Sequence, residues 1–400
     1  MERDMSAGIY IHIPFCLRKC FYCDFFSGPP ANDTAAASYI KALLREISFY
    51  GNRYGKDFKA DTVFFGGGTP SLIPPELVAR VIKTLRNNFD ISDDAEITLE
   101  CNPATADGDK LAGYRQAGVN RLSVGAQSFD DDVLSCLGRI HKASDIADTV
   151  MQARKAGFSN VSLDLMFAVP GLDMKKWRSS LREALALRPE HLSFYSLEIA
   201  PGTVFGRMAE EGTLRETPVS ADRRMYKRAV EETGKAGYVH YEISNAALPG
   251  KECRHNLKYW NFESYMGLGA SAHSFIGGVR YANVNDTEGY INAMNREDLS
   301  AERRLGTSEV FGAGCVSDYH INTFRDNAAE IAFTALRTRR GLVFSDFYRK
   351  TRREFWEIFD KERPAFEEFV RGGYAVSDSY HIALTLKGID ISNKIMALFV

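Results

Sequence analysis

Near its start, the chain runs a short apolar strand directly into three closely spaced cysteines: residues 9–24 read IYIHIPFCLRKCFYCD. Cys16, Cys20 and Cys23 have the spacing C-x3-C-x2-C. A structural zinc site normally takes four protein ligands, and no further His or Cys follows nearby to complete one. Three thiolates instead suit a [4Fe–4S] cluster in which one iron stays open.

An open iron is useful only if a ligand chelates it. S-adenosylmethionine (SAM) can do so through its amino and carboxylate groups, and a reduced cluster then cleaves it to a 5′-deoxyadenosyl radical. The sequence therefore predicts Cys16, Cys20 and Cys23 as cluster ligands and SAM as a cofactor. The alternative, three ordinary core or loop cysteines, is disfavoured by the spacing.

A series of strand–helix units follows the first strand. The predicted strands are 9–13, 62–65, 96–100, 121–124, 161–166 and 191–197, with a short seventh strand at 239–243. The predicted helices are 34–50, 109–117, 144–156, 175–187 and 221–236, with another beginning at Pro75. This alternation indicates an α/β fold with parallel strands and right-handed crossovers, rolled into a full or partial (β/α) barrel. In such a barrel, the functional residues belong at the C-terminal ends of the strands.

The alternation stops near Asn245, which divides the chain into a barrel domain over 1–245, a connecting region over 246–322 and a C-terminal domain over 323–400. We expect this last domain to be smaller and mainly helical α+β, with a helix at 324–337 and a hairpin at 374–376 and 382–384. The segment 306–322 is rich in Gly, Ser and Thr and is predicted to be a variable surface loop. Its Cys315 and His320 are alternative candidates for metal ligands.

Composition excludes several classes of protein. The chain carries 50 basic and 52 acidic side chains, a net charge of −2, which argues against a dedicated nucleic-acid binder. No apolar run reaches the ~18–20 residues of a membrane span. The first residues show no basic and apolar secretory signal, and three of the seven cysteines crowd into eight residues rather than spreading as a disulfide framework. We therefore expect a cytoplasmic protein.

Further motifs accompany the cysteines: FGGGTPS at 65–71, ECNP at 100–103, GAQSF at 125–129, Asp164-Leu165, HNLKYW at 255–260, GLGASA at 267–272 and LTLKG at 384–388. In combination they resemble the radical SAM branch that contains the oxygen-independent coproporphyrinogen oxidases and the HemW-type haem chaperones. The resemblance covers nearly the whole chain. It implies a radical SAM barrel that holds a [4Fe–4S] cluster and SAM.

The resemblance also implies which residues contact SAM. Gly67, Gly68 and Thr69 would accept hydrogen bonds from its amino group through backbone carbonyls, since glycines allow close approach of a ligand. The same pocket would contain Glu100, Gln127, Arg139 and Asp164, with Tyr10 and Tyr22 near the adenine or sulfonium. Taken singly, a glycine triplet is more often only a turn, and each charge is more often solvated.

Two features separate the branches of this family. The oxidases usually carry a fourth cysteine two residues after the third, where this chain has Phe25. In the chaperones an H-N-x-x-Y-W motif is linked to haem binding, which implicates the residues His255, Asn256, Tyr259 and Trp260. Arg254 and Lys258 could meet haem propionates, and Cys253 is a possible soft ligand. Without the resemblance, the motif would rather be a buried histidine beside a Tyr–Trp core pair.

The sequence therefore favours a haem chaperone that carries a cluster and SAM and transfers haem to acceptor proteins. It would need a reductant for the cluster, and the resemblance makes a homodimer plausible. The alternatives are an oxygen-independent coproporphyrinogen III oxidase and another radical SAM enzyme that acts on haem.

Overall fold

The computed structural model describes residues 6–32, 34–296 and 303–400. Its first half confirms the strand–helix alternation. The strands are β1 (Ser6–Ile13), β2 (Lys59–Gly67), β3 (Asp90–Cys101), β4 (Arg121–Gln127), β5 (Val161–Phe167) and β6 (His191–Ser196). The helices are α1 (Ala35–Tyr54), α2 (Pro75–Asn88), α3 (Gly108–Ala117), α4 (Asp131–Cys136), α5 (Ala143–Lys155), α6 (Met174–Ala186), α7 (Val204–Glu210) and α8 (Val219–Lys235).

Strands β1 to β6 are parallel and lie side by side in chain order. In a flat sheet, the first and last of them would be separated by five strand spacings, about 24 Å. Yet Tyr10 of β1 and Ser193 of β6 line the same cavity, together with a residue from every strand between them. The sheet is therefore curved into a partial barrel, and this confirms the predicted radical SAM fold.

Side chains on these strands alternate between two environments, as the period-two geometry of a strand requires. Ile97 and Leu99 of β3 belong to the apolar core shared with the helices, whereas Glu100 lines the barrel interior. On β5, Leu163 likewise belongs to the apolar core, whereas Asp164 lines the barrel interior. The outer face of the sheet is thus apolar and its inner face is polar.

The middle of the chain adds strands to both edges of the barrel. Its elements are β7 (Val239–Glu242), β8 (Asn245–Ala247), α9 (Arg254–Trp260), β9 (Tyr265–Leu268), β10 (His273–Ile276), β11 (Val279–Asn283), α10 (Thr287–Asn295), β12 (Arg303–Arg304), β13 (Phe311–Gly312) and β14 (Val316–Ile321). Strand β9 pairs parallel with β1, and β10, β11 and β14 continue antiparallel. Twelve of the described strands form one open sheet, in the order β14-β11-β10-β9-β1-β2-β3-β4-β5-β6-β8-β7.

Two expectations are corrected here. The seventh strand exists, but β7 pairs antiparallel with β8, which pairs antiparallel with β6, so neither extends the parallel set. The predicted loop over 306–322 contains the edge strand β14, which the sequence hides because most of its side chains are exposed. Cys315 is buried and donates to Glu46, while the exposed His320 pairs with Asp326, so the two do not share a site.

The C-terminal part is built around an aromatic cluster. Its helices are α11 (Phe324–Ala335), α12 (Phe344–Thr351), α13 (Phe355–Ile358), α14 (Arg363–Arg371), α15 (Leu386–Ile389) and α16 (Ser392–Met396). Strand β15 (Leu342–Val343) joins the predicted hairpin of β16 (Ala375–Ser377) and β17 (His381–Leu384). Every helix placed by the structure is too short or too polar to cross a membrane.

We predict that Phe355→Ala destabilises the protein by about 3–5 kcal/mol, because a large buried ring leaves a cavity. The Phe355 ring lies 4.7 Å from Trp356, 4.9 Å from Phe359 and 5.3 Å from Phe399. Urea unfolding followed by tryptophan fluorescence measures the change, since Trp356 is in the cluster. Tyr380→Ala is the control, because Tyr380 is 75% exposed and its loss should change stability by no more than about 0.5 kcal/mol. Equal effects of the two variants would contradict the prediction.

Candidate cofactor site

A cavity of about 400 Å³ opens at the C-terminal ends of the parallel strands. Most of the predicted cluster and SAM residues line it: Cys16, Cys20, Tyr22, Cys23, Gly67, Gly68, Thr69, Glu100, Gln127, Arg139 and Asp164. The loops that carry these residues are far apart in the sequence, but parallel strands bring them to the same edge. The structure therefore brings the residues predicted from the sequence together around one cavity.

The loop that carries the cysteines is fastened to the barrel by backbone hydrogen bonds. The N–H of Cys16 donates to the Gly28 carbonyl at 2.9 Å, and the N–H of Gly28 donates to the Pro14 carbonyl at 2.9 Å. Farther along, the N–H of Phe21 donates to the Leu137 carbonyl at 3.1 Å. The loop thus begins and ends on β1, and its centre is fixed to the segment after α4.

The three thiols line one wall of the cavity in different surroundings. The Cys16 sulfur lies 3.4 Å from the Thr69 hydroxyl, and the Arg139 guanidinium donates to the Cys20 sulfur at 3.5 Å. Burial raises the pKa of Cys23 to about 11, so this thiol needs a nearby cation to ionise. Among the described residues, no three His, Cys, Asp or Glu side chains converge on a position for one metal ion.

This donor set fits an iron–sulfur cluster better than a mononuclear site. In a [4Fe–4S] cluster each cysteine binds a different iron, so the thiolates surround the cluster instead of meeting at a point. The Arg139 side chain adds a positive charge beside the sulfurs, and its buried Nε has no hydrogen-bond partner in the described structure. Arg139 therefore lines the cavity as a cation that can balance the charge of thiolate ligands.

The glycine turn after β2 has its N–H groups occupied. Gly67 donates to the Glu100 carboxylate at 3.2 Å, Gly68 to the Ile13 carbonyl at 2.7 Å and Thr69 to the Phe15 carbonyl at 2.7 Å. The backbone of the turn can therefore offer acceptors to a ligand but not donors. Side chains would not fit here: Gly67 has φ +109°, and a Cβ on Gly68 would lie 2.6 Å from the Phe15 carbonyl oxygen.

Two carboxylates face the cavity from neighbouring positions on the inner face of the sheet. Burial, with a smaller contribution from Asp164, raises the pKa of Glu100 to about 8. Burial also raises the pKa of Asp164, although hydroxyl donors and the Arg121 guanidinium oppose the shift. Ser123 donates to both Asp164 oxygens, at 3.1 and 3.2 Å, and Ser162 donates at 3.2 Å. Burial thus favours the neutral form of both carboxyl groups, and a cationic ligand in the cavity would favour their ionised form.

A second cavity of about 330 Å³ lies deeper in the barrel and shares Gly67, Glu100 and Asp164 with the first. Tyr10 lines this inner cavity and not the outer one. Helix α9 supplies three residues of the predicted haem motif to its wall, namely His255, Asn256 and Tyr259. The structure therefore brings most of the haem motif to the floor of the predicted SAM site.

His255 is enclosed, with 1% of its surface exposed. Its Nδ1 lies 2.8 Å from the Thr62 hydroxyl, and its Nε2 lies 2.9 Å from the Tyr259 hydroxyl. Burial lowers the pKa of His255 to about 3, so the imidazole is neutral. Both ring nitrogens are engaged within the barrel.

Trp260 does not join the other motif residues. It lines a separate groove of about 330 Å³ between the end of α9 and helices α11 and α12, where the Arg337 guanidinium lies 4.4 Å from its ring centre. The two cations proposed for propionates are already paired: Lys258 with Asp61 at 2.7 Å, and Arg254 with the same carboxylate at 3.3 Å.

Sequence reasoning missed several residues that line these cavities: Arg121, Ser123, His191, Ser193 and Tyr195. All five occupy inward positions of β4 and β6, at a spacing of two. The same period-two pattern that predicted the strands would have identified them, had the polar positions of each strand been traced along its length.

Comparison with known proteins identifies the family. Residues 10–184 match the radical SAM superfamily, and residues 323–391 match the HemN C-terminal domain. A relative from Bacillus subtilis (strain 168), named "Heme chaperone HemW", is 35% identical over 98% of this chain and 98% of its own length. A relative of the same name from Escherichia coli (strain K12) is 37% identical, over 100% and 99% respectively. The chain belongs to the HemW family.

A solved structure supports the fold of this HemW-family chain. The coproporphyrinogen III oxidase HemN from Escherichia coli superposes with a TM-score of 0.84, covering 99% of this chain and 90% of the oxidase. The sequence identity is 22%, so the likeness concerns the fold alone.

Phe25, which stands where the oxidases usually carry a fourth cysteine, is 62% exposed and lines both the outer and the inner cavity.

The raised pKa of Glu100 predicts a pH effect on the cluster-free protein. Between about pH 4.5 and about pH 8, the folded protein keeps a proton on Glu100 that the unfolded chain releases. The bound proton contributes fully to the free energy of unfolding below about pH 4.5, and this contribution is lost as the pH rises to about 8. Glu100→Gln cannot ionise, so it should lose less stability than the wild type between about pH 5 and about pH 9.

Urea unfolding at a series of pH values measures this difference. Glu211→Gln is the control, because Glu211 is an exposed glutamate outside both cavities. Parallel pH curves for the wild type and Glu100→Gln would contradict the assignment.

Proposed function

We propose that this protein is a haem chaperone that holds a [4Fe–4S] cluster on Cys16, Cys20 and Cys23, binds SAM in the adjoining cavity and delivers haem to acceptor proteins. The observation that carries the cofactor part is the single cavity that joins the three thiols to the glycine turn, Arg139 and both carboxylates. The haem part is supported by the relatives named "Heme chaperone HemW".

The cysteines would hold the cluster, which when bound supplies a reducible iron with a free coordination position. Arg139 places its guanidinium 3.5 Å from the Cys20 sulfur, where its positive charge would balance the negative charge of a thiolate-bound cluster. The backbone bonds of the loop keep the sulfurs at the cavity wall. A reductant for the cluster and haem-accepting proteins are the partners that this function requires. A homodimer and a cytoplasmic location stay predictions from the sequence.

SAM would be bound mainly by charge and by backbone acceptors. The carbonyls of Gly67 and Gly68 and the Thr69 segment suit its ammonium group, because the N–H groups of this turn are occupied. The Arg139 guanidinium, which lines the same cavity, suits its carboxylate. Asp164 suits the ribose hydroxyls, and Gln127, Tyr10 and Tyr22 complete the walls.

A positively charged ligand would change the protonation of the pocket. Near neutral pH, Glu100 holds a proton in the empty site, since its pKa is about 8. The sulfonium and ammonium groups of SAM favour the ionised carboxylate, so binding should release this proton.

Haem would be bound through the α9 motif, which has two distinct faces. Neutral His255 is in the form that binds iron, but it must first give up its bond to Tyr259. Trp260 presents an aromatic ring to a groove whose walls include Arg340, Arg349 and Lys350. Arg340 and Arg349 share the single carboxylate of Asp346, so this wall carries more positive than negative charge and suits propionates. Asn256 and Tyr259 connect the motif to the inner cavity.

We predict that Ala at Cys16, Cys20 or Cys23 abolishes cluster assembly, because each thiolate binds its own iron. Anaerobic reconstitution followed by iron and sulfide analysis and by the ~400 nm absorption band measures this. Cys136→Ala is the matched control, since Cys136 is half-buried like Cys20 and Cys23 but lies outside the cavity. A complete cluster in any of the three variants would refute the assignment, provided that Cys136→Ala also assembles one.

The haem prediction separates the chaperone from the oxidase. The protein should bind about one haem per chain, and His255→Ala should weaken binding or shift the Soret band, because an imidazole–iron bond would be lost. His240→Ala is the control, since His240 is a half-buried histidine of β7 outside the motif.

The same preparation tests catalysis. Given coproporphyrinogen III, SAM and a reductant, the reconstituted protein should yield no protoporphyrinogen. Efficient decarboxylation would instead assign it to the oxidases and show that Phe25 does not discriminate between them. Failure to retain haem, without turnover, would leave a radical SAM protein with another substrate.

A further inference from the structure

A chain of hydrogen bonds runs through the barrel from helix α9 to Asp164. The Cys253 N–H, at the N-terminus of α9, donates to the Tyr241 hydroxyl oxygen at 3.3 Å. That hydroxyl lies 2.9 Å from His191 Nε2, and His191 Nδ1 lies 2.8 Å from the Ser162 hydroxyl. Ser162 then donates to Asp164 at 3.2 Å. The chain thus joins the haem-motif helix to the SAM pocket.

Its members are enclosed in the protein. Ser162 and Cys253 have no exposed surface, His191 has 1% and Tyr241 has 9%. A buried polar group that loses its partner pays its full desolvation cost, so each of these hydrogen bonds matters more than a surface bond. None of the four residues lines the outer cavity that the three cysteines border.

The hydrogens that each group can donate fix the direction of every bond in this hydrogen-bond chain. An ionised Asp164 can only accept, so the single Ser162 hydrogen is committed to it. His191 must therefore donate from Nδ1 to Ser162. Since burial and the nearby Arg121 charge lower the pKa of His191 well below its usual range, the ring is neutral and its Nε2 is an acceptor.

Tyr241 completes this arrangement. Its hydrogen points to His191 Nε2, and its oxygen accepts from the Cys253 N–H, so every hydrogen in the chain has an acceptor. With the other tautomer, His191 Nδ1 would need the Ser162 hydrogen, and Asp164 would lose a donor. The Tyr241 hydroxyl thus selects the tautomer that favours the Asp164 carboxylate.

We propose that His191 is a positioning residue that orients Ser162 toward Asp164 and, through Tyr241, makes SAM affinity depend on the placement of helix α9. This inference rests on the proposed function, in which Asp164 contacts SAM. A ligand that displaces α9 would therefore change SAM affinity, and by reciprocity SAM would change the affinity of that ligand by the same factor.

The test measures the dissociation constant of SAM by calorimetry on the reconstituted full-length protein. His191→Phe removes both ring nitrogens and should weaken SAM binding about tenfold, the size of one lost hydrogen bond to a charged group. His191→Asn should recover most of the affinity, because its amide N–H can replace Nδ1. Tyr241→Phe should weaken binding about threefold, since it removes the group that selects the tautomer.

Two further variants complete the design. Tyr238→Phe is the matched control. Tyr238 is a buried tyrosine whose hydroxyl donates to the Pro189 carbonyl, outside the hydrogen-bond chain. The Tyr238→Phe variant should bind SAM with the wild-type affinity. Asp164→Ala is the reference for direct loss of the carboxylate. If His191→Phe does not fold, the comparison of Tyr241→Phe with Tyr238→Phe still decides the question.

A spectroscopic readout separates positioning from general destabilisation. In ¹⁵N-histidine NMR spectra, His191 should be protonated at Nδ1 in the wild type, and Tyr241→Phe should alter that signal. Wild-type affinity in His191→Phe and Tyr241→Phe, with weaker binding in Asp164→Ala, would overturn the inference and leave the proposed function intact. Unchanged affinity in Asp164→Ala would instead refute the SAM assignment itself.

Discussion

The structure depends on one geometric constraint, the alternation of side chains on a curved parallel sheet. Each strand from β1 to β6 must present one face to the helices and the other to an enclosed interior. The helix-facing positions bury residues such as Leu99, Leu122 and Leu163, and this burial drives folding. The inward positions are thereby free to be polar, and they supply the walls of both cavities.

Enclosing polar groups has an electrostatic cost that the barrel reduces by local compensation. Arg121 is buried near Asp164 and Glu100, and its positive charge offsets part of the desolvation of both carboxylates. The offset is incomplete, because burial still raises the pKa of both groups. Such carboxyl groups ionise more readily when a cationic ligand binds beside them, and the proposed ligand, SAM, is a cation.

Much of this could be predicted from the sequence because the signals were local. The cysteine spacing, the glycine turn and the strand–helix alternation each occupy a short window. The C-terminal strand ends then follow from the topology of parallel strands. Strand β14 could not be found in this way, because an exposed edge strand has no apolar alternation and is held by backbone pairing with β11. The antiparallel pairing of β7 with β8 is local, but β8 has only three residues, too few to show an apolar alternation.

The haem motif also shows that adjacency in the sequence does not predict which residues share a site. In sequence, His255, Tyr259 and Trp260 form one unit, but helical geometry separates them. His255 and Tyr259 are four residues apart and share a face, whereas Trp260 is rotated by about 100°. Because α9 closes the barrel interior, the first face meets the carboxylates of the SAM pocket and the second meets the C-terminal helices. Helix α9 therefore links two regions that the sequence pattern presents as one site, and under the proposed function a ligand that moves this helix from one face would also act on the other.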